Sequence, residues 1–258
     1  MSRRRLFVPA ARLEGARLTL TDDEHQHVAR VLRARVGDRL TLFDGAGVEV
    51  DAEIEHVGKR ETALVLGAHR SGAATTSPIA ITLLIAVPRG ERMDLVVQKT
   101  TELGVGRIVP VVTARSVVRP EAKHRARWEK IAREAARQCG RADVPRVDAP
   151  TELALAVAAP DLPAVRFALW EAERARSLRI LVGQSDAAET SGRQNPATAL
   201  LVGPEGGFAL EEIAAAEAAG FVPVSLGPRI LRVETAAIVA VALVEAAAGG
   251  LDEDPSHE

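Results

Sequence analysis

The sequence has no tyrosine, five phenylalanines, two tryptophans and a single cysteine among its 258 residues. So few rings supply no pair of aromatics for base stacking. A nucleic-acid base held by this chain would be gripped by hydrogen bonds and apolar contact instead. One cysteine, Cys139, excludes an internal disulfide and a cysteine-based metal cluster, and fits a reducing compartment. No apolar run approaches the roughly 18 residues that a membrane-crossing helix needs. The start, MSRRRLFVPA, carries positive charge but lacks the apolar stretch of a secretory signal. The expectation is a cytoplasmic protein with no membrane partner.

Several chemical signatures are missing too. There is no G-x-x-x-x-G-K-[ST]. Gly104 and Gly106 supply a G-x-G, but Val109 stands where a third glycine belongs, and the stretch follows a predicted helix rather than a strand. GQSDA (183–187) lacks the closing glycine of a nucleophile elbow. His25 and His27 lie two apart on a predicted helix and cannot face one metal. Hydrolase, dinucleotide and metal readings have little support, and no metal is expected.

What is present is an uneven charge. Thirty-three basic residues oppose 35 acids, so the chain is close to neutral. The first 43 residues nevertheless hold nine Arg against five acids, and residues 89–141 hold thirteen basic residues against six. Segregated basic surface is what phosphate binding requires. A solvated face of an arginine-rich composition would read the same way.

Residues 1–70 read as β-rich. DRLTLFDGAGVEVDAEIEHVG alternates apolar and polar positions around a DGAG hairpin signal, and RETALVLG reads as another strand. DDEHQHVARVLR reads as a short helix with Thr21 available to cap it. HRSGAATTSP, ending at Pro78, reads as a linker, taken as residues 71–78. From Ile79 strands and helices alternate, which predicts an α/β domain on a parallel sheet over 79–248. IAITLLIAVP has the continuous apolar texture of a strand buried on both faces. RWEKIAREAARQCGR is a patterned helix whose stripe ends at Cys139, read as core. VETAAIVAVALVEAAA is apolar nearly all round and predicts burial on more than one side. An acidic tail closes the chain at 249–258.

Ligands of open α/β sheets gather where strands end. VPRGER, GPEGGF and GPRILR follow three predicted strands. Their glycines let main chain approach a ligand closely, so recognition would run through backbone groups. That suits a neutral or cationic, adenosine-like ligand better than a triphosphate. At the last junction Arg229, Arg232 and Glu234 cluster where a strand passes into a helix. Glu234 could serve only to stabilise the helix terminus, or it could face a ligand pocket with the arginines.

LVGPEGGF and LGPRILRVETAA together resemble the paired signatures of the SPOUT-class RNA methyltransferases, most closely the RsmE family. ERMDLVVQKTTELGV and REAARQCGR fit that family's middle section, and the resemblance covers nearly the whole chain. It implies a trefoil-knotted parallel-sheet domain preceded by a small PUA-like β-barrel RNA-binding domain. It implies methylation of uridine N3 in 16S rRNA of the small ribosomal subunit, S-adenosyl-L-methionine as cofactor, and a homodimer. Carried over, the cofactor residues are Leu169, Glu171, Gly203, Pro204, Gly207, Leu226, Gly227, Ile230, Leu231, Thr235 and Ala236. Arg232 would stabilise charge on the target base, and Glu234 would accept its proton or orient Arg232. Arg3, Arg4, Arg5, Arg30, Arg33, Arg35, Lys99 and Arg141 are the RNA candidates, with a steep loss of affinity in salt as their expected signature. Two alternatives stay open: a non-catalytic ribosome-assembly factor, and a methyltransferase for another base or a ribose 2′-oxygen.

Overall fold

The computed structural model of the chain describes residues 4–72, 76–185 and 196–252. Arg3, the middle of the linker stretch, residues 186 and 187 of GQSDA and most of the acidic tail lie outside them. Contacts divide the chain into two units, Met1–Thr76 with Arg133–Val144, and Ser77–Ala132 with Pro145–Glu258.

In the first unit β1 (Arg5–Phe7), β2 (Arg17–Thr21), β3 (Arg39–Phe43), β4 (Val48–Val57) and β5 (Glu61–Ser71) form one sheet, ordered β1-β3-β4-β5-β2. Only the β1–β3 pair is parallel. The DGAG turn joins β3 to β4 because Asp44 Oδ1 accepts the amides of Ala46 and Val48. The alternation then sends Leu40, Leu42, Val50, Ile54 and Leu64 into one core with Leu20 and Val28. Helix α1 (Asp22–Gln26) follows Thr21 and passes into a π-helical turn, His27–Val31. Its His25 is buried against the Thr62 hydroxyl, 2.9 Å away.

Arg133–Val144 belongs to this unit through specific bonds. Arg5 pairs with Glu49, both side chains being 8% exposed, and donates to the Arg141 carbonyl at 2.9 Å. The Val144 amide reaches the Gly45 carbonyl at 2.9 Å. These contacts correct three expectations. Arg5 and Arg141, taken as RNA candidates, are buried, and Arg141 pairs with Asp143. Cys139, taken as core, is exposed at the end of its helix, since the last turn of the stripe runs past the surface that covers Ala135 and Ala136.

The second unit is built on β6 (Ile81–Ala86), β7 (Arg107–Val112), β8 (Arg146–Val147), β9 (Thr151–Glu152), β10 (Val165–Leu169), β11 (Thr198–Val202) and β12 (Val222–Val224). The order is β12-β10-β11-β6-β7-β8, with β9 also on β7, and every pair is parallel. Central β6 and β11 are buried at every position, as their unbroken apolar runs require. The helices are α2 (Arg92–Glu102), α3 (Ala122–Cys139), α4 (Leu153–Val157), α5 (Leu178–Ser185), α6 (Leu210–Ala218) and α7 (Val233–Ala247). α3 is shared, its residues from Arg133 onward grouping with the first unit. After edge strand β12, α7 turns back over the sheet and packs on α2, α5, β6 and β11. That accounts for burial on several sides within its own unit. An α/β parallel sheet preceded by a small β domain is the architecture that the resemblance implied.

Candidate functional site

β10 pairs with β11 on one side and β12 on the other, and the register sets Leu169 level with both Val202 and Val224. Three neighbouring strands therefore end together. The loops that leave them surround a cavity of about 420 Å³, within the range of small-molecule sites. Of the expected cofactor residues, Leu169, Glu171, Gly203, Pro204, Gly207, Leu226, Gly227, Ile230, Leu231 and Ala236 line it. Thr235 is exposed and does not. Arg229 and Arg232 stand on the wall as well. VPRGER, expected beside the two Gly-Pro loops, is not part of the lining, because β10 rather than β6 lies between β11 and β12.

Local chemistry fixes each loop. Gly207 closes the GPEGG turn with its amide on the Pro204 carbonyl at 2.9 Å and φ +68°. A Cβ there would overlap Glu171 Oε1, so the β10 and β11 loops touch at a point where a side chain would have to displace the Glu171 carboxylate. At Gly203 a Cβ would come within 2.8 Å of the buried Phe208 ring, which packs beneath the turn. On the β10 side Glu173 folds its own loop. Its carboxylate accepts the amides of Ala175 and Arg176 at 2.6 and 3.1 Å and the Arg176 guanidinium at 2.7 Å. The Ala175 amide, followed by the Arg176 side chain, pulls the Glu173 carboxyl down to about 2. The amide of Trp170 donates to Val224 O at 3.0 Å and that of Ser225 to Arg176 O at 2.8 Å, joining the β10 and β12 loops. Arg115 caps the Gly206 carbonyl at 2.8 Å.

The junction that concentrated charge in the sequence forms the start of α7. Arg232 is its N-cap, in extended conformation, and its carbonyl accepts the Ala236 amide at 2.8 Å. Its side chain is exposed and has no bonded partner among the described residues. Glu234 is 9% exposed on the first turn, where the helix dipole favours a negative charge. It does not pair with Arg232. Its Oε1 lies 3.8 Å from Arg92 Nε, and its buried Oε2 has no hydrogen-bond partner. Arg92 also reaches Glu205 Oε1 at 3.3 Å, an oxygen that accepts the Arg89 amide at 3.1 Å.

Among the RNA candidates, Arg30 in the π-helical turn and Arg33 and Arg35 just after it are exposed on the first unit, with no guanidinium partner among the described residues, and Arg33 is strained at φ +47°. Arg4 pairs with Asp38, and Lys99 with Glu102 at 2.9 Å on its own helix. Among the described residues no group of His, Cys, Asp and Glu is placed to hold a metal, and no helix is long and apolar enough to cross a membrane.

Sequence reasoning passed over Arg174 on the cavity wall and Arg92 outside the lining, while Trp170 and Glu205 lie within the expected loops, between residues it named. Trp170 and Arg174 flank Glu171, so the strand-end position was the available signal. Arg92 ends VPRGER, but nothing local sets it apart there, because its partners are 113 and 142 residues away.

Residues 75–245 match the model of an RNA methyltransferase domain, and residues 20–66 that of an RNA methyltransferase PUA domain. The ribosomal RNA small subunit methyltransferase E of Synechocystis is 34% identical over 94% of this chain and 77% of its own length. The Neisseria gonorrhoeae enzyme of the same name, solved with S-adenosyl methionine bound, superposes with a TM-score of 0.81 at 32% identity, covering 95% of this chain and 97% of that one. A Legionella pneumophila protein solved with the cofactor SAM gives 0.82 at 35%, covering 96% and 98%. With both domain models matched in order and the relatives aligned over almost the full length of the fold, the chain belongs to the ribosomal RNA small subunit methyltransferase E family.

Proposed function

We propose that this chain methylates N3 of a uridine in the 16S rRNA of the small ribosomal subunit, using S-adenosyl-L-methionine, and works as a cytoplasmic homodimer. The supporting observation is the cavity at three level strand ends, lined by the two glycine-containing loops and by Arg232, which has no bonded partner among the described residues. Residues 1–70 form the RNA-binding domain in this reading, with Arg4, Arg30, Arg33 and Arg35 against the phosphates.

The cavity suits the cofactor. Its glycine turns offer backbone groups to an adenosine, and Glu171, Glu205, Arg174 and Arg229 give the opposite charges that a sulfonium amino acid needs. Bound S-adenosyl-L-methionine supplies an activated methyl carbon. The chain supplies the rest. The three pinned loops align that carbon with uridine N3, a positioning effect of several kcal/mol, on the order of 7 at best. Arg232 stabilises the charge that gathers on the uracil carbonyls as N3 loses its proton. Glu234 Oε2, a buried acceptor with no donor, takes that proton. Across the step the N3–methyl bond forms and the methyl–sulfur bond breaks.

The test joins calorimetry with transfer of labelled methyl to small ribosomal subunits. The chain should bind S-adenosyl-L-methionine without RNA, and Arg232→Ala should keep that binding while losing about a hundredfold in transfer. A chain that binds no cofactor would be an assembly factor. Unchanged transfer by Arg232→Ala would remove Arg232 from the chemistry.

A further inference from the structure

The geometry points to Arg92 as a positioning residue for methyl transfer, acting through Glu234; this rests on the reading of Glu234 given above. Arg92 is the first residue of α2 and lies outside the cavity lining. Its guanidinium nevertheless spans two carboxylates carried by two other elements. Nη1 is 3.3 Å from Glu205 Oε1 on the β11 loop, and Nε is 3.8 Å from Glu234 Oε1 on α7.

One of these carboxylates lines the cavity and the other lies next to it on α7. Glu205 is on its wall, and Glu234 is outside the lining but between the lining residues Val233 and Ala236 in the first turn of α7. Two carboxylates brought to one place repel each other unless a cation stands between them. No other charged group pairs with Glu234 among the described residues. Nearby Arg127 is engaged by Asp94 and Glu91 and is not free to replace Arg92. Arg92 thus stands at ion-pair distance from one oxygen of Glu234, while the other, Oε2, has no hydrogen-bond partner. A carboxylate drawn to a cation through one oxygen turns the second away from it, which is the orientation a group receiving a proton in a transition state requires. The Arg89 amide on Glu205 Oε1 anchors the other end of the bridge to the loop after β6. VPRGER therefore contributes to the site indirectly, as support for one residue of the β11 loop and one of α7.

A point charge cannot span both carboxylates as a planar guanidinium does, so lysine should restore function only in part. Arg92→Gln should lower kcat about tenfold and leave the cofactor dissociation constant within about twofold, with Arg92→Lys in between. The decisive readout is a double-mutant cycle. If Arg92 acts by holding Glu234, Arg92→Gln should cost less than about twofold once Glu234→Gln is present. Thermal melts of every variant show whether each is folded, and Arg92→Lys carries the test if Arg92→Gln is not. An unchanged kcat in folded Arg92→Gln, or the same tenfold loss in the Glu234→Gln background, would overturn the role. Full activity of Glu234→Gln alone would overturn the reading of Glu234 and this role with it. An impaired Glu234→Gln beside a fully active Arg92→Gln would overturn this role and leave that reading standing.

Discussion

At Gly207 two constraints coincide: a left-handed φ of +68° and a Glu171 carboxylate occupying the space a Cβ would need. Alanine there would strain the backbone by about 1 kcal/mol and push Glu171 aside, because the tip of a flexible side chain is what yields. Gly207→Ala should lower the melting temperature slightly and weaken S-adenosyl-L-methionine binding about tenfold, read by calorimetry. An unchanged affinity would mean that Glu171 and the turn do not shape the cofactor site. At this scale the sequence was informative where residue type alone carries the constraint. The glycines after apolar runs marked the turns, and three charges at an apolar seam marked Arg232 and Glu234. It misled where partners decide. Arg5 and Arg141 look like any other cation until Glu49 and Asp143 are found beside them.

Among the elements, the loop after β10 depends on one carboxylate. Glu173 binds two amides and a guanidinium, which hold its carboxyl near 2 instead of the ordinary 4.5. A depressed carboxyl stabilises the fold at pH values above its unfolded value and loses that contribution as pH falls from about 4.5 towards 2. The folded loop should therefore keep these bonds through mildly acidic pH, so fold stability declines from about 4.5 while cofactor affinity falls only as pH approaches 2. Glu173→Gln should show weaker binding already at pH 7 and a flatter acid profile, followed by calorimetry across pH. Identical profiles would exclude Glu173 as the loop's fastener. The strands and helices were legible because β6 and β11 are continuously apolar and α2 and α3 carry helical stripes. Strand order was not. Composition gives no sign that β10 inserts between β11 and β12, which is why VPRGER looked like a cavity loop. Nor does it show that the stripe of α3 outruns its cover and leaves Cys139 exposed.

Over the whole molecule, near-neutral net charge conceals basic segments, and counting by segment recovers them. Two features could not be read from any linear pattern. The first unit takes in Arg133–Val144 from far along the chain. The knotted path that goes with the family is a property of threading, to which periodicity and propensity are blind. The level strand ends, the exposed Arg232 and the Arg92 bridge all fall within the second unit. Mass mapping of nucleosides tests this account most directly: small subunits from a strain lacking the protein are incubated with the purified chain and S-adenosyl-L-methionine, and their 16S rRNA is digested and sequenced by mass. The account predicts a new methyl group on N3 of one uridine. An rRNA that stays unmethylated, or that carries the methyl on a ribose oxygen or another base, would contradict it.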